Sequence, residues 1–415
     1  MKPLAGFGVA AAGLAMAFAA HAADLGWART WGASPQAPMQ ALGPFPATPG
    51  FHDQTLRQVV RISGGGKKLR IRFTNEFGTA PLDIGSAHVA LAGPGGAIQP
   101  GSDHVLTFAG KPAGTARTGA PLVSDPVDMP VAALSRLAIS IYLPGQVEAC
   151  SCHGTAMEPA YLISGDHAAD AALSGATVLQ TRALISAVDV AAAGAPRTIV
   201  AFGDSITDGV GSTPGTDRRW PDRLAERLLK RGGPAVYVSN EGISGNRILN
   251  DGFGAAALAR FDRDVLATPG LAYVIVFEGV NDINMSTIRP DAAGPLAGFA
   301  KAFPGGPITA DDLIAADRQM IARAHERGVK IYGATITPFQ GGGPFNIEGE
   351  AMRQAVNSWI RTSGAFDAVL DFDAAIRDPA KPSQIKDGYH MGDHLHGSDA
   401  GYQVMANSID LNLFR

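Results

Sequence analysis

An α/β architecture, a doubly wound parallel sheet preceded by an antiparallel β-sandwich, is what this sequence predicts, on three observations. From about Trp27 to Asp166, short runs alternate apolar and polar residues with period two and show almost no helical periodicity. After Arg197, β-rich runs alternate with amphipathic helical segments, the pattern that builds a parallel sheet with helices on both faces. Finally, 415 residues exceed one typical domain, and 46% hydrophobic residues can fill two cores.

In chain order, the first stretch reads as a targeting segment. Lys2 gives a positive start, Leu4 to Ala19 an apolar run, and Ala20-His21-Ala22 a small-x-small cleavage site, so residues 1–22 are expected to be a signal peptide. The run is short for a membrane span, and no later stretch is long enough. The sequence therefore predicts export to the periplasm or beyond the cell, with no stable membrane insertion after cleavage.

Residues 23–167 are expected to form the sandwich, with a jelly-roll-like arrangement. Leu69, Ile71 and Phe73 alternate with Arg70, Arg72 and Thr74, and Leu137, Ile139, Ile141 and Leu143 alternate equally cleanly. Further strands are expected at Ser86–Ala92 and His104–Phe108. Gly64-Gly65-Gly66-Lys67, Gly93-Pro94-Gly95-Gly96 and Pro144-Gly145 punctuate the runs as turns. Residues 168–196 are rich in small residues, with one β-like run at Ala183–Val190, and read as a connection ending at Ala195-Pro196. In residues 197–415 the expected strands are Thr198–Phe202, Ala235–Ser239, Ala272–Phe277, Lys330–Thr335 and Ala368–Asp371. Helices are expected at Trp220–Lys230, Leu258–Leu266, Asp311–Glu326, Glu348–Arg361 and Ala400–Leu411. Trp220–Lys230 is expected to carry Leu224, Leu228 and Leu229 on one side.

A formal net charge of −4 implies no large single-sign field and argues against nucleic acid as a partner. The two cysteines, Cys150 and Cys152, sit one residue apart beside His153. After export they are permitted a disulfide, though an i to i+2 ring is tight, and free thiols are the alternative. A zinc site lacks further ligands nearby.

Four blocks carry chemistry. Gly203-Asp204-Ser205 follows the first expected parallel strand, where open α/β sheets place their sites. It is not the Gly-x-Ser-x-Gly elbow, because Thr207 stands where that motif needs glycine. Asn240-Glu241-Gly242-Ile243-Ser244-Gly245-Asn246 follows the second strand, and glycine there lets backbone N–H groups approach a ligand. Glu278-Gly279-Val280-Asn281-Asp282 follows the third, where an asparagine amide can donate to an oxyanion or make an Asx-turn. Asp393-His394-Leu395-His396 precedes the last helix, and its Asp-x-x-His spacing can set a carboxylate against an imidazole. Asp387-Gly388-Tyr389-His390 has the same spacing and is a rival register, and His394 is a third candidate base.

This ordered set resembles the SGNH (GDSL) hydrolases over about Arg197 to Arg415. The resemblance implies the flavodoxin-like SGNH hydrolase fold and a serine hydrolase acting on ester bonds, without cofactor or metal. It also implies a role for each motif residue: Ser205 as nucleophile and first oxyanion donor, Gly242 and Asn281 as further donors, His396 as base and Asp393 as its orienting partner. The context Leu-His-Gly-Ser-Asp-Ala-Gly-Tyr favours His396 over His390. Ile206 departs from the family's leucine without consequence for mechanism. The whole mature chain resembles two-domain secreted members, consistent with Trp31-Gly32-Ala33-Ser34-Pro35-Gln36 and Thr55-Leu56-Arg57-Gln58.

The expected substrate is a small-molecule or polysaccharide ester with a short acyl group, such as acetyl on carbohydrate. A lysophospholipase or arylesterase is the alternative within the enzyme class. A carbohydrate-binding surface protein with a vestigial hydrolase domain is the alternative outside it. Leu296, Phe299 and Phe303, in the segment Met285–Ile308, are candidates to wall an acyl pocket or simply to pack their own loop.

Overall fold

In the computed structural model, residues 25–42, 45–286, 305–343 and 345–415 are described, with Ile288 and Gly298 between them. The expected signal segment and the residues Leu296, Phe299 and Phe303 lie outside these.

The N-terminal half is built around two large antiparallel sheets, with two small two-stranded ones beside them. One has the order Gly26–Gly32, Ile185–Ala192, Lys68–Phe73, Leu122–Val123. The other has the order Thr177–Leu179, Ala160–Ser164, Gln54–Arg61, Arg136–Leu143, Ser86–Leu91, His104–Val105. Their facing residues share one core, in which Leu56, Val60, Leu137, Ile139 and Ile141 meet Leu69, Ile71, Phe73, Val188 and Val190. Two expectations need correction. The strand expected at His104–Phe108 is confined to His104–Val105. The stretch 168–196 is more than a connection, because Ile185–Ala192 pairs with both Gly26–Gly32 and Lys68–Phe73. Its small residues suit a strand flanked on both sides.

The C-terminal half is a five-stranded parallel sheet in the order Val236–Gly242, Arg197–Gly203, Leu271–Phe277, Lys330–Ala334, Ala368–Leu370. This is the doubly wound order 2-1-3-4-5, with its switch point between the first and third strands in sequence. The helix Trp220–Arg231 packs on Asp399–Ser408, and Ala310–Glu326 on Ile347–Thr362. Trp220–Arg231 opens with Pro221 and with Asp222 accepting from the Arg219 N–H. It buries Leu224 and Leu228, while Leu229, expected on the same stripe, is 52% exposed.

Register aligns the ends that matter. Gly203 pairs with Gly242 on one side and Phe277 on the other, so the three following loops leave the sheet at one level. The edge strand Val236–Gly242 is covered by the N-terminal half, which removes an open parallel edge. Tyr237 belongs to the sandwich core and donates its hydroxyl to Gly65 O at 2.7 Å.

Candidate active site

The first strand must end in glycine. A Cβ on Gly203 would lie 2.2 Å from Thr207 Oγ1 and 2.6 Å from Phe277 O, so only hydrogen lets the chain turn there. Asp204 then caps a single helical turn, Ser205–Asp208, its Oδ1 accepting from Ile206 N at 2.9 Å. Burial pushes the Asp204 carboxyl up to about 7. Ser205 opens the turn, so its N–H has no intrahelical partner, and its hydroxyl lies at the switch point.

Ser205 Oγ is 2.8 Å from His396 Nε2, and His396 Nδ1 is 2.6 Å from Asp393 Oδ2. Asp393 Oδ1 accepts from Leu395 N and His396 N, both at 3.0 Å. Burial acts to raise the Asp393 carboxyl, but the His396 ring and these two amides outweigh it and hold the pKa well below the ordinary carboxylate range. A carboxylate at Nδ1 makes that nitrogen the proton carrier, so Nε2 of neutral His396 presents its lone pair to the serine hydroxyl. The other two histidines are engaged elsewhere. His390 Nδ1 accepts from Gly392 N and His394 N, and its Asp387 partner stands 3.9 Å away in solvent. His394 stacks on His390 with ring centroids 4.2 Å apart.

Gly242 departs from expectation. Its N–H donates to Asn240 Oδ1 at 2.9 Å and is not free to meet a ligand. Three residues on, Gly245 adopts φ +77°, and its N–H has no protein acceptor among the described residues. The preceding Ser244 N–H donates to Asp208 Oδ2 at 3.0 Å. Asn281 lies in the helix Val280–Ser286 rather than in a loop. One of its amide hydrogens goes to Asn246 O at 2.9 Å, beside Gly245, leaving the second to donate. Asp282 pins the same loop, accepting from Ile248 N at 2.7 Å and Leu249 N at 3.0 Å.

Beneath these loops lies Arg260, a residue the sequence did not single out. Fully buried, it donates to Gly203 O at 3.0 Å, Glu241 O at 2.7 Å and Asn246 Oδ1 at 2.8 Å. Glu278 Oε1 is 3.3 Å away, and its carboxyl is pushed far above the ordinary range by burial and then by Asp204. One guanidinium thus ties together the ends of all three strands that carry the site. Within Leu258–Leu266 it looked like an ordinary polar helix position, and apart from Asp264 one turn on, the acceptors of its five fixed donors are distant in sequence.

Residues 201–404 match the model of the GDSL-like lipase/acylhydrolase family. No curated protein matches the chain. Among solved structures, it is similar to a putative lipolytic protein of the G-D-S-L family from Desulfitobacterium hafniense, 21% identical, covering 51% of this chain and 96% of that one, TM-score 0.37. It is also similar to a GDSL-like lipase from Bacteroides thetaiotaomicron, 18% identical over 51% and 84%, TM-score 0.36. A variant of an acetyl xylan esterase from Geobacillus stearothermophilus is 21% identical over 51% and 92%, TM-score 0.37. With the motif residues gathered at the switch point of a doubly wound sheet, residues 201–404 are a GDSL-like lipase/acylhydrolase domain, and the chain is an ester-hydrolysing enzyme.

Proposed function

We propose that the protein is an exported serine esterase that removes short acyl groups, such as acetyl, from carbohydrate through an acyl-enzyme. The observation that carries the chemistry is the continuous hydrogen-bonded line from Asp393 through His396 to Ser205 Oγ. Ser205 attacks the ester carbonyl while its proton passes to His396 Nε2, and Asp393 stabilises the imidazolium that forms. The oxyanion is received by the N–H of Ser205, the N–H of Gly245 and the side-chain amide of Asn281, with Gly245 in the place first expected for Gly242. His396 returns the proton to the departing alcohol, and water repeats the sequence on the acyl-enzyme.

Two observations support the finer reading. Among the described residues, the exposed large hydrophobics are scattered over separate segments, and of these Met391 lies in the His390–His396 loop. Single exposed apolar residues of this kind are ordinary on a protein surface and are not read as a lipid-docking face. The disulfide joining Cys150 and Cys152 suits an oxidising compartment outside the cytoplasm.

Purified protein tested on p-nitrophenyl esters of increasing chain length, beside a panel of acetylated polysaccharides, is expected to prefer acetyl. An optimum at eight or more carbons overturns the short-acyl reading. Ser205→Ala and His396→Ala are each expected to abolish most activity and His390→Ala to keep it. An active His396→Ala beside a dead His390→Ala reverses the assignment of the base.

A further inference from the structure

His153, from the sandwich half, reaches the back of the catalytic loops. It lies on the two-residue strand Cys152–His153, paired with Arg182–Ala183, and is 5% exposed. Its surroundings hold it rigidly: Cys152 O accepts from Gln36 N at 2.7 Å, Gly154 N donates to Gln36 Oε1 at 2.6 Å, and Thr181 Oγ1 donates to His153 O at 3.0 Å. The disulfide to Cys150 is on the adjoining residue.

The ring's two nitrogens meet only acceptors. Nδ1 is 3.0 Å from the carbonyl oxygen of Ser34, and Nε2 is 3.0 Å from Asp208 Oδ1. A carbonyl and a carboxylate cannot donate, so both nitrogens carry protons and the ring is an imidazolium. The charged groups facing it are Asp208, from the Ser205 turn, and Arg182, from the paired strand. Burial opposes the charge, but Asp208 and Ser34 outweigh both burial and Arg182, and the pKa is raised above the ordinary histidine value.

Asp208 carries this contact into the site. It ends the helical turn that Ser205 begins. Its other oxygen accepts from Ser244 N at 3.0 Å and Ser244 Oγ at 2.6 Å, and Thr155 Oγ1 lies 2.8 Å from Ser244 Oγ. The next peptide is the one whose N–H belongs to Gly245. One carboxylate therefore joins the nucleophile turn to the oxyanion loop, and the cation that holds it comes from the other half of the chain.

We propose that His153 is a positioning residue for ester hydrolysis: as an imidazolium it fixes Asp208, and through Ser244 it sets the Gly245 N–H toward the oxyanion, so the sandwich completes the active site. This rests on the acyl-enzyme reading above. Loss of the proton leaves the Nε2 lone pair facing the Asp208 carboxylate, so the clamp opens as pH rises through the His153 pKa.

The test uses the full chain and p-nitrophenyl acetate. His153→Gln is expected to lower kcat about tenfold or more, short of the 10²–10³-fold for deleting an oxyanion donor outright, with KM within twofold. The wild type is expected to lose kcat at alkaline pH, and Asp208→Asn, which places an amide nitrogen that can donate to a neutral ring, is expected to lack that fall. Nitrogen-15 histidine NMR of the Ser205→Ala protein is expected to show both His153 nitrogens protonated at pH 6.5, where an ordinary histidine is about half neutral. A neutral ring in that spectrum, an alkaline limb unchanged in Asp208→Asn, or a folded His153→Gln with kcat within twofold of wild type overturns the proposal. If His153→Gln does not fold, the spectrum and the Asp208→Asn profile decide. Ser205→Ala separates the two levels: if it stays active, the acyl-enzyme reading fails and takes this one with it. If Ser205→Ala is dead and His153→Gln is normal, only the positioning role fails.

Discussion

Asn281 divides its amide between two tasks, one hydrogen held by Asn246 O and the other left for a ligand. Asn281→Ala is expected to lower kcat by about 10²–10³-fold, the usual cost of losing one oxyanion donor. Assays on p-nitrophenyl acetate check this, and a loss under about threefold removes Asn281 from the mechanism. At this scale much of the site was legible. Ser205, Asn281, Asp393 and His396 were named from motifs whose order is informative, and the fold brings Ser205 Oγ to His396 Nε2 and His396 Nδ1 to Asp393 Oδ2. Gly242 and Gly245 were not separable in that way. They lie three residues apart in one turn, and which N–H is spent depends on where the Asn240 side chain folds back.

Within the helix Ala310–Glu326, the buried face runs through Leu313, Met320 and Ala324, and Asp317 lies on it at 4% exposure. Burial, and then the charge of Asp282, push the Asp317 carboxyl up to about 8. Between the ordinary carboxylate value of about 4 and that pKa, the folded chain keeps a proton that the unfolded chain releases. Stability from this group is therefore lost as pH rises through that window. Asp317→Asn keeps the shape without the titration, so its Tm is expected to gain on wild type between pH 5 and pH 8. Thermal melts at the two values check this, and parallel curves contradict it. Elements themselves followed periodicity well, because amphipathic helices and buried parallel strands have strong local patterns. Ile185–Ala192 was visible only as a β-like run in an apparent connection, since its place in a sheet is conferred by Gly26–Gly32 and Lys68–Phe73, more than a hundred residues earlier.

Across the whole molecule, the two halves are joined by groups that neither would bury alone. Tyr237 fills the sandwich core from the parallel sheet, and Ser34 Oγ donates to Glu241 Oε2 at 2.8 Å. Thr198 Oγ1 donates to Arg29 O at 3.1 Å, and Arg29 N to Pro269 O at 3.0 Å. A fragment beginning at Arg197 is therefore expected to aggregate, with its edge strand Val236–Gly242 and Tyr237 opened to solvent. Size-exclusion chromatography and esterase assay of that fragment check this. A monodisperse fragment with full activity shows the N-terminal half to be dispensable.

By itself the sequence determined the two-part organisation, the parallel sheet, the family of the C-terminal half and the motif residues, because periodicity and ordered motifs are local properties of a chain. Only the tertiary structure decided which glycine N–H is spent on a side chain, and which groups Arg260 and His153 touch behind the catalytic loops. Those outcomes depend on hydrogen-bond partners far apart in sequence, and a residue's type does not reveal which donor or acceptor folding will place beside it.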